Sequence, residues 1–291
     1  MVKYIEWHFT NACNLKCLHC MCNSGNEKVN IKESQKHSLE FIKMIKPECV
    51  NMTGGEPLLS HDIFNIAQIM TNNNITLTLS TNGTCKNNVE IRDILKYFKG
   101  GIQFSLDSPS PQIHDYLRGV KGAYEDTINF IDCLRSYDSG YDIQLCMCLN
   151  KYNYKDICEY EDILNKYSIN SFKVLSMYDI GRASENHNIF IDEFELQKMV
   201  EEFEKLKKRV RKTKIYYSNP EAYFEYLKRK GQIKEIDLLN IDAEGNIRIT
   251  PYLPYQFGNV REFVNLNQFQ IKERDLSLIH ISEPTRLGMI S

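Results

Sequence analysis

Six short runs rich in β-branched and aromatic residues, YIEWHF, CVNM, ITLTLS, GIQFSL, DIQLCMCL and SFKVLS, recur along the chain with longer amphipathic stretches between them. The intervening stretches, Leu39 to Lys46, Ile63 to Asn72, Val89 to Phe98, Tyr124 to Tyr137 and Lys155 to Lys166, space their apolar residues by three and four, the period of a helix with one buried face. Strand and helix alternating this regularly require parallel strands joined by right-handed crossovers, with the helices outside. Six units fall short of a full eight-unit barrel. The pattern therefore predicts an α/β fold, a partial (β/α)6 TIM-like barrel with a small α+β C-terminal appendage. With 291 residues, 42% of them hydrophobic, the chain can bury one sizeable core with something left over.

After Ile180 the texture changes. A loop, GRASENHN, leads into a long charged amphipathic helix from Asp192 to Arg211, and DLLNIDAEGNIRIT then reads as a β-hairpin with Gly245 in its turn. A boundary is expected near Arg211, and no repeat of fixed period marks a solenoid.

Charge and segment composition narrow the setting. Thirty-six basic against 38 acidic residues leave no excess for neutralising phosphates, so nucleic acid is not an expected partner. The basic run from Lys205 to Lys214 alternates with apolar positions and reads as the solvated face of a helix. The N-terminal MVKYIEWHFT has no signal-peptide pattern, and no apolar run reaches the ~20 residues of a membrane span. A cytoplasmic, membrane-free protein is expected. In that setting ten cysteines suggest metal ligation and buried thiols before disulfides.

Cys13, Cys17 and Cys20 come directly after the first strand, spaced C-x-x-x-C-x-x-C, at the strand end where α/β barrels build active sites. Three thiolates at this spacing can hold three irons of a [4Fe–4S] cluster and leave the fourth open. A structural zinc site, with Cys22 or His19 as fourth ligand, is the competing reading, although Cys49, Cys85, Cys133, Cys146, Cys148 and Cys158 supply no second knuckle. Cys146 and Cys148, within a strand, read as buried thiols. After the second strand, NMTGGEPLL brings Gly54 and Gly55, where backbone can approach a ligand closely, and Glu56, a carboxylate at the same mouth able to meet a ligand ammonium. Pro57 suits the first turn of the next helix. LSTNG and SLDS deliver Ser80, Asn82, Ser105 and Asp107 to the next two strand ends. Each alone reads as a helix cap, but four successive polar strand ends describe one pocket.

Together these motifs resemble the radical S-adenosylmethionine (SAM) superfamily. Cys13, Cys17 and Cys20 match its cluster motif with His19 at the usual aromatic position, GGEP matches its methionine-binding motif, and the Ser80–Gly83 and Ser105–Asp107 ends look like its later SAM-contacting strands. The likeness spans roughly residues 4 to 182. It implies a [4Fe–4S] cluster whose open iron chelates SAM, reductive cleavage to a 5′-deoxyadenosyl radical, hydrogen abstraction from a substrate, and a reductant such as flavodoxin or ferredoxin. It also implies Glu56 at the SAM amino group, His19 near the adenine, Ser105 and Asp107 on the ribose side, and an incidental Cys22.

YDIGRA, IDAEGNIRIT and PYLPYQFGNVREF further resemble the peptide-modifying branch, whose C-terminal domains of SPASM or twitch type carry more clusters. Thr250 and Phe263 stand where that branch has cysteines, and none occurs after Cys158, so a single cluster is expected. The expected organisation is 1–211, radical SAM core barrel; 212–275, degenerate SPASM/twitch-like region; and 276–291, a non-native tail. SLIHISEPTRLGMIS resembles translated sequencing adapter, which places the authentic end near Asp275. Because the chain starts at its first strand, substrate recognition is expected from the barrel, the C-terminal part or another protein. The expected substrate is a peptide or protein side chain, undergoing epimerisation, crosslinking or another C–H functionalisation. The alternatives are a small metabolite or nucleotide, or a non-catalytic zinc- or cluster-binding module.

Overall fold

A computed structural model of the chain describes residues 2–25, 31–218, 238–252 and 256–263. All six predicted strands are present: β1 (Tyr4–Thr10), β2 (Cys49–Gly54), β3 (Thr76–Thr81), β4 (Ile102–Ser105), β5 (Ile143–Cys148) and β6 (Ser171–Leu175). They pair in parallel in chain order. Helices α1 (Ile31–Ile45), α2 (Ile63–Asn72), α3 (Ile91–Tyr97), α4 (Pro111–Arg118), α5 (Ala123–Tyr137) and α6 (Glu161–Lys166) lie between them, as the open α/β barrel requires.

Three elements depart from the sequence reading. Helix α1 starts well before Leu39, its first turns being polar. The segment before α6 is a 3-10 turn, Asp156–Tyr160, because the helical period runs through two short pieces. Helix α4 has no counterpart among the predicted helices, being only eight residues long and close behind the SLDS strand end. Its signals were nonetheless present: Pro111 at the first helical position, where no backbone donor is needed, and Gly119 in the left-handed conformation at the end (φ 71°).

Beyond β6, helix α7 (Glu193–Arg209) begins at Asp192 with a reciprocal capping box: the Asp192 carboxylate accepts from Glu195 N at 2.8 Å, and Asp192 N donates back to the Glu195 side chain at 3.1 Å. Strand β7 (Lys214–Ser218) then joins β6 in parallel, so the sheet runs through the position near Arg211. The predicted hairpin is β8 (Leu238–Ile241) and β9 (Asn246–Arg248), with Gly245 at φ 86°. It docks β8 in parallel on β1, and β10 (Gly258–Asn259) closes the edge. The sheet order is β10-β9-β8-β1-β2-β3-β4-β5-β6-β7 among the described residues. The predicted tail lies outside them. No described helix is long and apolar enough to cross a membrane.

The two faces of the sheet differ sharply. One face, carrying Ile5, Trp7 and Phe9, Val50 and Met52, Leu77 and Leu79, Ile102 and Phe104, Ile143, Leu145 and Met147, Phe172 and Val174, is buried beneath the helical layer. Phe104 meets Phe130 of α5 edge-on at 5.2 Å, and Phe172 lies 4.3 Å from Tyr160. Each such fully buried side chain contributes about 1.5–3 kcal/mol. The alternate positions point into the hollow of the open barrel and are mostly polar and half-buried. Register aligns them into transverse rows, Glu6–Asn51–Thr78, Ser80–Gln103–Gln144 and Ser105–Cys146–Lys173–Tyr216.

Candidate active site

The loop after β1 carries the three predicted cysteines, all free thiols, with Cys17 buried and Cys13 and Cys20 half-buried around Leu15 and Ala123. Neighbouring segments fix its backbone. Lys16 N donates to Arg118 O at 3.1 Å and Leu18 N to Leu117 O at 2.9 Å, pinning the loop to the end of α4. From the segment after β6, Arg182 donates its backbone N–H to Cys20 O at 2.9 Å, Nε to Cys17 O at 2.9 Å and Nη1 to Ser24 O at 2.7 Å.

Donors are also aimed at the sulfurs. Leu15 N lies 3.5 Å and Asn82 Nδ2 3.9 Å from Cys13 Sγ, and Arg118 Nη1 lies 3.7 Å from Cys17 Sγ. Burial pushes the Cys13 thiol up to about 11, against the Leu15 N–H, and raises Cys17 too, against the Arg118 charge. Buried thiols surrounded by N–H donors are what thiolate ligands of an iron–sulfur cluster need: the metal removes the protons, and the donors stabilise the sulfur charge. These residues fit a cluster.

The glycine pair Gly54–Gly55 at the end of β2 packs tightly on the cysteine loop. A Cβ on Gly54 (φ 122°) would stand 2.5 Å from Thr10 O, and one on Gly55 would collide with Ala12 O. Gly55 N donates to Thr10 O at 2.6 Å and Glu56 N to Ala12 O at 2.8 Å. The close approach in this structure is to the cysteine loop's own backbone. Glu56 is fully buried, with Oε1 accepting from Leu58 N at 3.1 Å and Thr81 Oγ1 at 2.9 Å and Oε2 from Asn82 N at 2.7 Å. Burial lifts its carboxyl to about 7 despite these bonds. In this structure the side chain ties the end of β2 to the end of β3.

Asn82, at the end of β3, donates to Asn14 Oδ1 at 2.9 Å, which places it over the cysteine loop as expected. Ser80 bonds Asn51 at 3.1 Å on the inward face, and Ser105 stands half-buried on the same face. Asp107 does not line the mouth. It is fully buried, 2.7 Å from Arg118 Nε and 3.3 Å from His19 Nε2, and accepts from Cys148 N at 3.0 Å. Burial would raise its carboxyl, but the Arg118 guanidinium holds it below the ordinary range. Burial, reinforced by Arg118 and Arg182 against Asp107, drops His19 to about 4, so the imidazole is neutral. Asp107 is therefore the centre of a buried charged cluster under the cysteine loop, its carboxylate engaged by Arg118, His19 and Cys148 N.

Sequence reading missed three further features. Arg118 and the buried His114, whose Nδ1 accepts from Asp107 N at 3.1 Å, arrived with the overlooked α4. Arg182 was quoted within YDIGRA without its clamping role. Cys22 Sγ stands 3.3 Å from His8 Nδ1, and His8 Nε2 is 3.5 Å from Glu6. No spacing in the sequence announces that trio.

The radical SAM superfamily model matches residues 7–164. An AdoMet-dependent heme synthase of Methanosarcina barkeri is 23% identical, over 89% of this chain and 80% of that protein. The mycofactocin maturase MftC of Mycolicibacterium smegmatis is 23% identical over 62% of this chain, which spans 46% of it. Among solved structures, Streptococcus suis SuiB bound to S-adenosylmethionine superposes with a TM-score of 0.72 at 18% identity, covering 92% of this chain and 65% of that one, and SuiB bound to precursor peptide SuiA gives 0.71. The shared fold is the partial barrel.

Proposed function

Because the chain belongs to the radical SAM superfamily, we propose that it is a peptide- or protein-modifying member that removes hydrogen from a side chain held in the hollow of its open barrel. As a radical SAM enzyme it works with a [4Fe–4S] cluster and S-adenosylmethionine, which when bound supply reductive sulfonium cleavage and a hydrogen-abstracting 5′-deoxyadenosyl group. Cys13, Cys17 and Cys20 hold the cluster. Asn82, Leu15 N and Arg118 brace its sulfurs, Arg182 fixes the loop, and Glu56 joins the two strand ends beneath it. Ser80 and Ser105 are left at the polar mouth for SAM.

One observation carries the peptide reading: the inward face presents transverse rows of amides and hydroxyls, among them Asn51, Thr78, Gln103 and Gln144, which bond one another in part and keep spare donors and acceptors for a peptide backbone. The mycofactocin maturase and SuiB with its precursor peptide support it. The heme synthase likeness, over more of this chain, favours a second reading in which a small metabolite is the substrate. Residues 212–275 act in either case as a degenerate SPASM/twitch-like region, and a flavodoxin or ferredoxin delivers the electron.

Anaerobic reconstitution tests the first level. About four irons per chain, broad absorbance near ~400 nm and reductant-dependent 5′-deoxyadenosine are expected. Cys17→Ala should abolish the absorbance and the product together; zinc binding without SAM cleavage would end the proposal. At the second level, 5′-deoxyadenosine release should be stimulated by short peptides encoded beside the gene, and stimulation by an iron porphyrin in their place would transfer the assignment to the metabolite reading.

A further inference from the structure

Strand β6 turns Phe172 and Val174 outward under the helical layer, so Lys173 between them points into the hollow. It stands in the row Ser105–Cys146–Lys173–Tyr216, two strands from Ser105 and hence roughly 10 Å from the strand end where SAM is placed. Other cations near the hollow are engaged: Arg118 with Asp107, Arg182 with carbonyl oxygens, His8 with Glu6 and Cys22. Lys173 is half-buried and makes no hydrogen bond or ion pair with any described residue. Its field reaches Glu6 on β1, but that carboxylate is held by His8.

A second unpartnered group faces the same way. Asn240 on β8 is in register with Glu6, is 1% exposed, and has neither amide atom bonded among the described residues. A buried amide left unpaired costs about 1–3 kcal/mol, and a peptide group offers both the donor and the acceptor it lacks.

We propose that Lys173 is the anion anchor of the substrate site, gripping a carboxylate of a peptide, on an acidic side chain or at the C-terminus. The proposal rests on the reading of the hollow as the substrate site. One ammonium among amides and hydroxyls matches a carboxylate; a phosphate dianion calls for an arginine fork or several cations, which these rows do not contain. Lys173 is a specificity-determining residue, placed beyond the reacting atoms so that the charged end of the substrate sets which C–H bond lies under SAM.

A random peptide display library panned anaerobically on the reconstituted holoenzyme tests this. Wild type should enrich sequences with Asp, Glu or a free C-terminal carboxylate, K173R should keep the preference, K173M should lose it, and K173E should enrich Lys and Arg instead. Ligand-observed NMR with N-acetylglutamate and its uncharged diamide forms the second arm, with affinity for the acid weakened on the order of tenfold in K173M and the diamide unaffected. If no peptide is enriched yet N-acetylglutamate binds in a Lys173-dependent way, the peptide reading falls and the anchor stands. Acidic enrichment undiminished in K173M and K173E, or equal binding of acid and diamide by wild type, overturns the anchor. Equal iron content and melting temperature in K173R and K173M separate loss of recognition from loss of fold.

Discussion

Replacing Gly55 by alanine adds one methyl group where the structure has least room. The new Cβ would collide with Ala12 O and stand 2.8 Å from the Ala12 carbonyl carbon and 3.0 Å from that of Asn11. Non-bonded carbons settle at about 3.5–4.0 Å, so the Ala12 peptide must retreat by roughly 1 Å. The Glu56 N to Ala12 O bond, now 2.8 Å, and the Gly55 N to Thr10 O bond, now 2.6 Å, cannot both survive this shift. One backbone pair broken at about 1–3 kcal/mol, with about 1–3 kcal/mol of overpacking, gives roughly 2–6 kcal/mol if the loop stays put. Moving is cheaper, and the segment that moves carries Cys13. Ligand constellations tolerate about 0.5 Å of misplacement, so the expected outcome is a folded protein that fails to retain its cluster. Iron and sulfide content after anaerobic reconstitution, with far-ultraviolet circular dichroism, measures it. Gly140→Ala, whose Cβ would meet Asp138 Oδ1 at an ordinary 3.5 Å, is the matched control. Full iron content in Gly55→Ala would refute the packing argument.

Three more outcomes are expected from the same geometry. Arg118→Met strands the buried Asp107 carboxylate, and a broken buried pair costs about 3–5 kcal/mol; a double-mutant cycle with Asp107→Asn, read by urea denaturation, should show the two losses to be strongly non-additive, and additive losses would dismiss the pairing. The Glu56 carboxyl is raised from 4.5 to about 7, so the folded state favours its protonated form and stability should fall as pH climbs through that window, then level off. Glu56→Gln should flatten this part of the melting-temperature profile, and an unchanged slope would assign it to another group. Arg182→Leu removes three side-chain bonds to the cysteine loop, and iron loss to a chelator should quicken on the order of tenfold, a rate unaltered from wild type counting against the clamp.

The six-strand frame was legible because period-2 apolar runs with turn signals between them have few other uses. The cysteine loop was legible for a related reason: its three cysteines are local in sequence. Glu56, Asp107 and Arg118 were not, since their roles depend on which partner faces them across strands. A carboxylate at a strand end looks alike in sequence whether it meets a ligand ammonium, as was expected of Glu56, or a protein N–H, as the structure has it. Arg118 was doubly hidden, on a short helix close behind a strand end and opposite a partner on another element. Strand β7 escaped because KIYYS comes after a basic run with too few residues to establish a period. The hairpin was read correctly, whereas its attachment to β1 is a long-range choice that no local pattern encodes.

The Arg182 clamp also bears on the order of events during synthesis. Its bond to Cys17 O spans 165 residues of chain, so the loop it secures leaves the ribosome well before the clamp does. At about 5–20 residues per second, roughly ten to thirty seconds separate the emergence of the cysteines from that of the side chain that fixes them. For that interval the three thiols are exposed in a loop with one wall missing. The expected consequence is that chains stalled before Gly181 lose iron to a chelator faster than the full chain, as Arg182→Leu should.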